Sequence, residues 1–76
     1  MDAIESLKRM DLAGFLARTY GLSFARAGDG YVALSPFRAE KRGSFYVREE
    51  SDGHWVFKDH GSGLGGSVFD FVMAFE

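Results

Sequence analysis

Four basic side chains gather in one short stretch of this chain. Arg38, Lys41, Arg42 and Arg48 lie within eleven residues, although the whole chain carries a formal charge of −2. Arg can contact a phosphate through two N–H groups, and Lys acts as a point charge. The stretch is therefore a candidate for phosphate contacts, while the overall charge argues against indiscriminate binding to nucleic acids or membranes. A solvated loop whose counterions are the neighbouring glutamates is the alternative interpretation.

Further candidate residues follow this stretch on two predicted strands. Alternation along the first strand places Tyr46 and Arg48 together on the face away from the core. In a simple hairpin register Val56 and Lys58 of the second strand join them. Tyr46 then offers a stacking platform for an unpaired base, a contact worth about 1–3 kcal/mol. Trp55 is the other aromatic candidate, but its position favours a place in the core.

The segment from Asp59 to Gly66 contains four glycines. Glycine loops before helices can bind anions through backbone N–H groups, but this one lacks the Lys-Ser/Thr ending of a nucleoside-triphosphate loop. We expect Asp59 and His60 to hydrogen-bond the loop backbone, and the glycines predict a shaped loop without regular structure. A catalytic Asp59–His60 pair is disfavoured because no Ser or carboxylate constellation accompanies it.

The sequence has few residues that could bind a metal and none that could form a disulfide. The chain has no cysteine and only two histidines, His54 and His60. It can form no disulfide and lacks the ligands of a conventional zinc cage, so metal binding by His54, Asp59 and His60 ranks low. Of its 76 residues 46% are hydrophobic and eight are Phe. Because each buried aromatic ring removes about 150–250 Å² from water, we expect a dense aromatic core.

A single small domain must position these side chains. Apolar spacing and turn residues predict two helices within 4–20, strands at 22–26, 31–34, 45–48 and 54–58, and a helix over 68–75. Asp11 and Ser67 have the chemistry of helix N-caps, and Gly21 that of a helix stop. The predicted fold class is α+β, with an antiparallel sheet of two hairpins between N-terminal helices and a C-terminal helix.

The predicted last helix, 68–75, is apolar around nearly its whole circumference. Only one face of such a helix can pack on a sheet, so a partner surface is left uncovered or the chain is a fragment of a longer protein. No stretch reaches the length of a membrane span, and the N-terminus lacks the order of a signal peptide. We therefore expect a cytoplasmic protein with no membrane partner.

Two blocks of the sequence, 34–45 and 55–73, carry a family pattern. The first reads Leu-Ser-Pro-Phe-Arg-Ala-Glu-Lys-Arg-Gly-Ser-Phe, and the second runs from an aromatic residue through Asp-His-Gly and further glycines to Asp-Phe-Val-Met. They resemble the N-terminal zinc-finger domain of bacterial DNA primases. In that family the first block runs Cys-Pro-Phe-His, Glu-Lys and Thr-Pro-Ser-Phe. The second runs aromatic, Cys-x2-Cys, glycines and a helix of the Asp-Phe-Val type.

The departures from this family fall at the metal ligands. The ligand positions are occupied by Ser35, Arg38, Phe57 and His60. These residues cannot make a four-ligand zinc site, so the resemblance implies a zinc-ribbon-like fold without zinc. The second block is most similar to cysteine-free versions in primase-like proteins of mobile elements and phages. In place of the metal, Arg38 has the alternative role of an ion pair with Asp59.

The resemblance implies a nucleic-acid-binding module of a primase-like DNA replication protein that contacts single-stranded template DNA. The side chains expected to contact the strand are Arg38, Lys41, Arg42, Tyr46, Arg48 and Lys58. The polymerising chemistry belongs to a catalytic domain outside this chain, so no catalytic residue and no cofactor are expected here. The alternative is a protein-interaction module that uses 68–75 to dock on a helicase, a relaxase or its own downstream catalytic domain.

Overall fold

The computed structural model describes residues 2–37 and 43–76. Its elements are α1 (Ala3–Lys8), α2 (Leu12–Tyr20), β1 (Ala25–Ala27), β2 (Gly30–Ala33), β3 (Phe45–Glu49), β4 (Trp55–Asp59), β5 (Gly65–Gly66) and α3 (Val68–Phe75). The five strands form one antiparallel sheet in chain order, with helices at both ends of the chain. The predicted α+β, zinc-ribbon-like architecture is confirmed.

The ends of α2 and α3 depend on the predicted capping residues. The Asp11 carboxylate accepts a hydrogen bond from the Gly14 N–H at 3.1 Å, and Gly21 ends α2 in the left-handed conformation with φ 74°. At α3, Ser67 and Asp70 form a reciprocal capping box. These contacts satisfy N–H groups that have no partner inside a helix, which confirms both predicted N-caps.

The register of the sheet separates a core face from an open face. Along β3 and β4, Val47 pairs with Phe57 on the core face, and the predicted simple hairpin register is confirmed. Pairing of β2 with β3 joins the two hairpins into one sheet. We define the open face as the exposed or half-buried side chains of the opposite parity, which are Val32, Tyr46, Arg48, Val56 and Lys58.

Aromatic rings dominate the core, as predicted. Phe57 lies 5.5 Å from Phe45 and 5.5 Å from Phe71, measured between ring centroids, and the Phe37 ring contacts all three. We call these four residues the aromatic cluster. Leu12 and Leu16 of α2 are fully buried against it. The cluster thereby ties the second hairpin to α2, to α3 and to the segment that follows β2.

Two predicted boundaries are wrong, each for a physical reason. The first hairpin begins at Ala25 because Leu22 and Phe24 turn their side chains against the core instead of extending the strand. Gly65 and Gly66 form a strand paired with β4, although their segment was expected to lack regular structure. Gly66 has φ 134°, and a Cβ there would collide with the Asp70 carboxylate. A Cβ on Gly65 would lie 3.1 Å from the Phe57 carbonyl oxygen, so glycine there permits the close pairing with β4.

Helix α1 is attached to the β3–β4 turn by polar contacts. It contains no buried residue. His54 Nε2 lies 2.7 Å from a Glu5 carboxylate oxygen, and the Arg9 guanidinium donates to the Asp52 carbonyl at 2.5 Å. The pKa of Asp52 is lowered, chiefly because the His54 backbone N–H donates to its carboxylate. These contacts place α1 without the apolar burial that holds α2.

The apolar last helix is only partly covered. Val68 and Phe71 are buried, whereas Met73 is 81% exposed and Phe75 is 40% exposed. The Phe75 ring still contacts Tyr20, with 4.9 Å between ring centroids. Within the ranges 2–37 and 43–76, no helix is long and apolar enough to cross a membrane.

Candidate nucleic-acid interface

Three of the six predicted contact residues lie side by side on the open face. Tyr46 is directly across from Lys58 in the β3–β4 ladder, and Arg48 follows two residues along β3. Directly opposed side chains of an antiparallel pair have Cβ atoms about 4.5–5.5 Å apart. Tyr46 is 40% exposed, and both basic residues are exposed. The sheet therefore presents one aromatic ring between two cations.

The other three predicted contact residues, Arg38, Lys41 and Arg42, lie outside the described residues. The ion pair predicted between Arg38 and Asp59 lies outside them for the same reason. Their proposed contacts consequently depend on the sequence alone. The open face contains the other three, Tyr46, Arg48 and Lys58.

His60 extends the aromatic surface of the open face. Its ring meets the Tyr46 ring edge-on, with 5.0 Å between centroids and 89° between planes. The His60 backbone N–H donates to the Ser44 carbonyl at 3.0 Å, which fixes the start of the loop after β4. The resemblance assigned His60 to a ligand position, and its ring contact with Tyr46 was not foreseen.

A concave depression of about 310 Å³ indents the open face. We call it the open-face groove; its lining includes Ala27, Asp29, Gly30, Tyr46, Arg48, Val56, Lys58 and His60. Small residues at the β1–β2 end leave this space, because Ala27 pairs with Gly30 and neither carries a long side chain. A Cβ on Gly30 would lie 2.5 Å from the Val47 carbonyl oxygen, so no larger residue fits there. Arg48 lies directly across from Gly30 in the β2–β3 ladder, and Tyr46, Lys58 and His60 also line the groove.

The cations of the groove make contacts that a phosphate can replace. Arg48 lies 3.3 Å from the Glu50 carboxylate, and both side chains are largely exposed. Lys58 Nζ donates to the Gly63 carbonyl at 3.0 Å. An exposed ion pair such as Arg48–Glu50 contributes about 0–1 kcal/mol, which is less than a charge-assisted phosphate contact. The groove therefore holds its cations in place without neutralising them strongly.

Trp55 faces away from the groove, as its predicted core position requires. It is half-buried against the core, and its ring stacks on Tyr31 with 6.3 Å between centroids and 18° between planes. The Arg26 guanidinium lies over the Tyr31 ring, 5.2 Å from the ring centroid. Trp55 is thus part of the packing that supports β4.

The residues at the predicted ligand positions do not fit a zinc ion. Ser35 is buried and its hydroxyl accepts from the Phe37 N–H at 3.1 Å, while Phe57 belongs to the aromatic cluster. Across the described ranges, no three His, Cys, Asp or Glu side chains lie together as a metal site. Zinc prefers four thiolate, imidazole or carboxylate ligands, and a hydroxyl and a phenyl ring do not supply them.

The loop after β4 is organised around Asp59. This residue is fully buried, and its carboxylate accepts from the Ser62 hydroxyl at 2.5 Å. Ser62 Oγ in turn accepts from the Leu64 N–H, and the Asp59 N–H donates to the Leu64 carbonyl at 2.8 Å. The Asp59 carbonyl also accepts from the Gly63 N–H. These hydrogen bonds turn the chain back so that β5 can pair with β4.

Zinc is expected to leave the thermal stability of this domain unchanged. A ligand that binds only the folded state stabilises it by RT ln(1 + L/Kd), where L is the free ligand concentration, and so raises Tm, and the described ligand positions provide no such affinity. Melting followed by circular dichroism, with added zinc and with a chelator, should give the same Tm. A zinc ribbon with four cysteines is the control, because it must lose stability on chelation. An increase of several degrees with zinc would contradict this expectation.

Two features of the open face were not predicted from the sequence, namely the groove and the position of Asp29 in its lining. Both depend on which residues of β1 and β2 face the same side. The signal was present in the small residues Ala27 and Gly30 on either side of the turn. These small residues indicate a groove only when the pairing of β1 with β2 and of β2 with β3 is known.

Comparison with known proteins completes this description. All 76 residues match the family model described as the CHC2 zinc finger. A DNA primase of Enterococcus faecalis is 37% identical to this chain over 51 residues, which is 67% of the chain. The chain spans only 8% of the length of that primase.

Proposed function

This chain belongs to the CHC2 zinc-finger family, and from that premise we propose that it is the nucleic-acid-binding module of a primase-like DNA replication protein. Its ligand is single-stranded template DNA. The observation that carries the proposal is the grouping of Tyr46, Arg48 and Lys58 around the open-face groove. An aromatic platform between cations is the arrangement by which proteins bind unpaired strands.

Each side chain of the open face has a separate role in this proposal. An unpaired base stacks on Tyr46, whose ring is held edge-on by His60. Arg48 and Lys58 contact the phosphates on either side of that base, and the strand follows the groove between them. Arg38, Lys41 and Arg42 are assigned to further phosphates, on the sequence argument alone.

The proposal places catalysis elsewhere in the protein. The related primase is far longer than this chain, which corresponds to 8% of its length. We assign the polymerising chemistry to a catalytic domain outside these 76 residues, and we assign no cofactor to the chain. A zinc-free module of a mobile-element or phage protein, working in the cytoplasm, is part of the same proposal.

Tyr46→Ala is expected to weaken binding to single-stranded DNA by about tenfold, because loss of one base–aromatic stack costs about 1–3 kcal/mol. Fluorescence anisotropy with a labelled oligonucleotide of mixed sequence measures the affinity. Tyr46→Phe is the matched control, since it keeps the ring and should bind like the wild type. The wild-type affinity should also fall steeply with salt. Equal affinity of the alanine and phenylalanine variants would contradict the stacking role.

Protein docking is the second candidate, and the exposure of Met73 on α3 favours it. In this function the helix contacts a helicase, a relaxase or a downstream catalytic domain. The two candidates differ in an NMR titration with single-stranded DNA. Binding to the groove shifts the resonances of Tyr46, Arg48 and Lys58, whereas a docking module leaves them unchanged.

A further inference from the structure

We propose that Asp29 makes the open-face groove select bases that carry an exocyclic amino group, so that cytosine is preferred over thymine. This inference rests on the proposed function, because it specifies which bases of a single strand the groove accepts. It assigns a specificity role to a residue of the β1–β2 turn, outside the aromatic and cationic side chains already described.

The turn places Asp29 at the edge of the groove. The two residues between β1 and β2 are Gly28 and Asp29, and Asp29 lines the groove together with Ala27 and Gly30. Gly28 has φ 60°, the positive value that two-residue hairpin turns of type II′ require at their first position. The conformation of the turn therefore depends on Gly28, and the carboxylate of Asp29 is exposed and available to a ligand.

Asp29 is an acidic residue in a groove whose other charged lining residues are basic. The groove also contains Arg48 and Lys58, whose positive charges suit the phosphates of a nucleic acid. A carboxylate beside a polyanion is unfavourable unless it meets a hydrogen-bond donor. An unpaired base provides donors on its exposed edge, so Asp29 suits contact with a base while the cations suit contact with the backbone.

The chemistry of the bases then determines the preference. An ionised carboxylate only accepts hydrogen bonds. Cytosine presents the N4 amino group as a donor, a partner that Asp and Glu recognise in nucleic acids, whereas thymine presents the O4 acceptor at the same place. The thymine oxygen would face the carboxylate oxygen without a hydrogen between them. In a single strand these edges are not occupied by a complementary base.

The small floor of the groove allows the base to reach the turn. Ala27 and Gly30 carry no long side chains of their own next to Asp29; Arg48 lies directly across from Gly30, and Tyr46 lines the same groove. A planar base in this groove can reach both the Tyr46 ring and the Asp29 carboxylate. The groove therefore combines stacking, which every base provides, with an acceptor that distinguishes among bases.

The test compares oligonucleotides of equal length made only of deoxycytidine or only of thymidine. At neutral pH and low salt, the wild-type protein should bind deoxycytidine about tenfold more tightly, since a hydrogen bond to a charged group contributes about 1.5–3 kcal/mol. Asp29→Asn should bring the two affinities close together, because the amide can donate to thymine O4. Asn also suits the turn, so the fold is retained.

Glu49→Gln is the matched control for the loss of one negative charge. Glu49 pairs with Trp55 and has the parity of the core face, so it lies away from the groove. This variant should keep the wild-type ratio between the two oligonucleotides, even if both affinities rise slightly. Any change in ratio that is specific to Asp29→Asn then reports on base selection and not on general electrostatics.

The possible results separate this inference from the proposed function. If the wild-type protein binds neither oligonucleotide at low salt, the proposed function itself fails. If it binds both equally, or if the preference for deoxycytidine survives in Asp29→Asn, only the role of Asp29 is overturned. A tenfold preference that disappears in Asp29→Asn and persists in Glu49→Gln supports it.

Discussion

Replacement of Phe57 by alanine is expected to lower the free energy of unfolding by about 3–5 kcal/mol. Phe57 is 3% exposed and contacts every other ring of the aromatic cluster. Its removal leaves a cavity between Phe45 and Phe71 as well as losing the transfer free energy of the ring. Folded domains have only about 0.05–0.15 kcal/mol of stability per residue, so most of the stability of this chain is at risk. Urea unfolding followed by circular dichroism measures the change.

Two variants control this experiment on Phe57. Met73→Ala truncates a large apolar side chain that is 81% exposed, and it should change the free energy of unfolding by no more than about 0.5 kcal/mol. Phe57→Leu keeps most of the apolar volume and should fall between the two alanine variants. If Phe57→Ala and Met73→Ala unfold at the same urea concentration, the aromatic cluster is not the main source of stability.

Reversal of both charges in the groove should reduce binding to single-stranded DNA by at least about 100-fold at low salt. The variant is Arg48→Glu with Lys58→Glu, which exchanges two phosphate-contacting cations for anions. Each charge-assisted hydrogen bond contributes about 1.5–3 kcal/mol, and two are lost. Both side chains are exposed, so the fold should persist. Anisotropy at several salt concentrations measures the affinity and its salt dependence together.

The control for this double variant makes the same change of net charge elsewhere. Lys8→Glu with Arg18→Glu alters the last turns of α1 and α2, away from the open face. Its loss of affinity should be small, and its salt dependence should resemble that of the wild type. The negative slope of log K against log salt should be shallower by about two in the groove variant, because each lost phosphate contact removes about one unit of slope. Equal losses in both variants would indicate attraction to the overall charge instead.

The local parts of this fold were predictable because they depend on neighbours in sequence. Alternation in β3 and β4 placed Tyr46 and Arg48 opposite the core, and a two-strand register then placed Lys58 beside them. The capping residues Asp11 and Ser67 were recognisable for the same reason. Each of these features needs only a short stretch of chain to be expressed.

The features that were missed depend on non-local pairing. The strand at Gly65 and Gly66 exists because glycine permits close approach to β4, which outweighed the expectation that glycines prevent regular structure. The open-face groove arises where Ala27 and Gly30 pair, and most of its other lining residues belong to β3 and β4. A sequence pattern shows small residues but does not show what stands opposite them. The candidate role of Asp29 was therefore visible only after folding.

The family match contrasts with the residues found at the predicted ligand positions. The match to the CHC2 zinc finger covers all 76 residues. Two of the predicted ligand positions nevertheless hold Ser35 and Phe57, whose hydroxyl and phenyl groups are not zinc ligands. In the structure both are used for packing and hydrogen bonding within the protein. At these two positions, side-chain packing and hydrogen bonding therefore stabilise the fold, a role that the resemblance assigns to a metal in relatives.

The presence of Phe57 in the aromatic cluster has a consequence for oxidative chemistry. A zinc site made of thiolates is a redox target, since oxidation of cysteine to sulfenic acid or a disulfide removes ligands and releases the ion. A phenyl ring packed against other phenyl rings undergoes none of these reactions. The contact of Phe57 in β4 with Phe71 in α3 therefore offers no thiolate that peroxide or glutathione could oxidise.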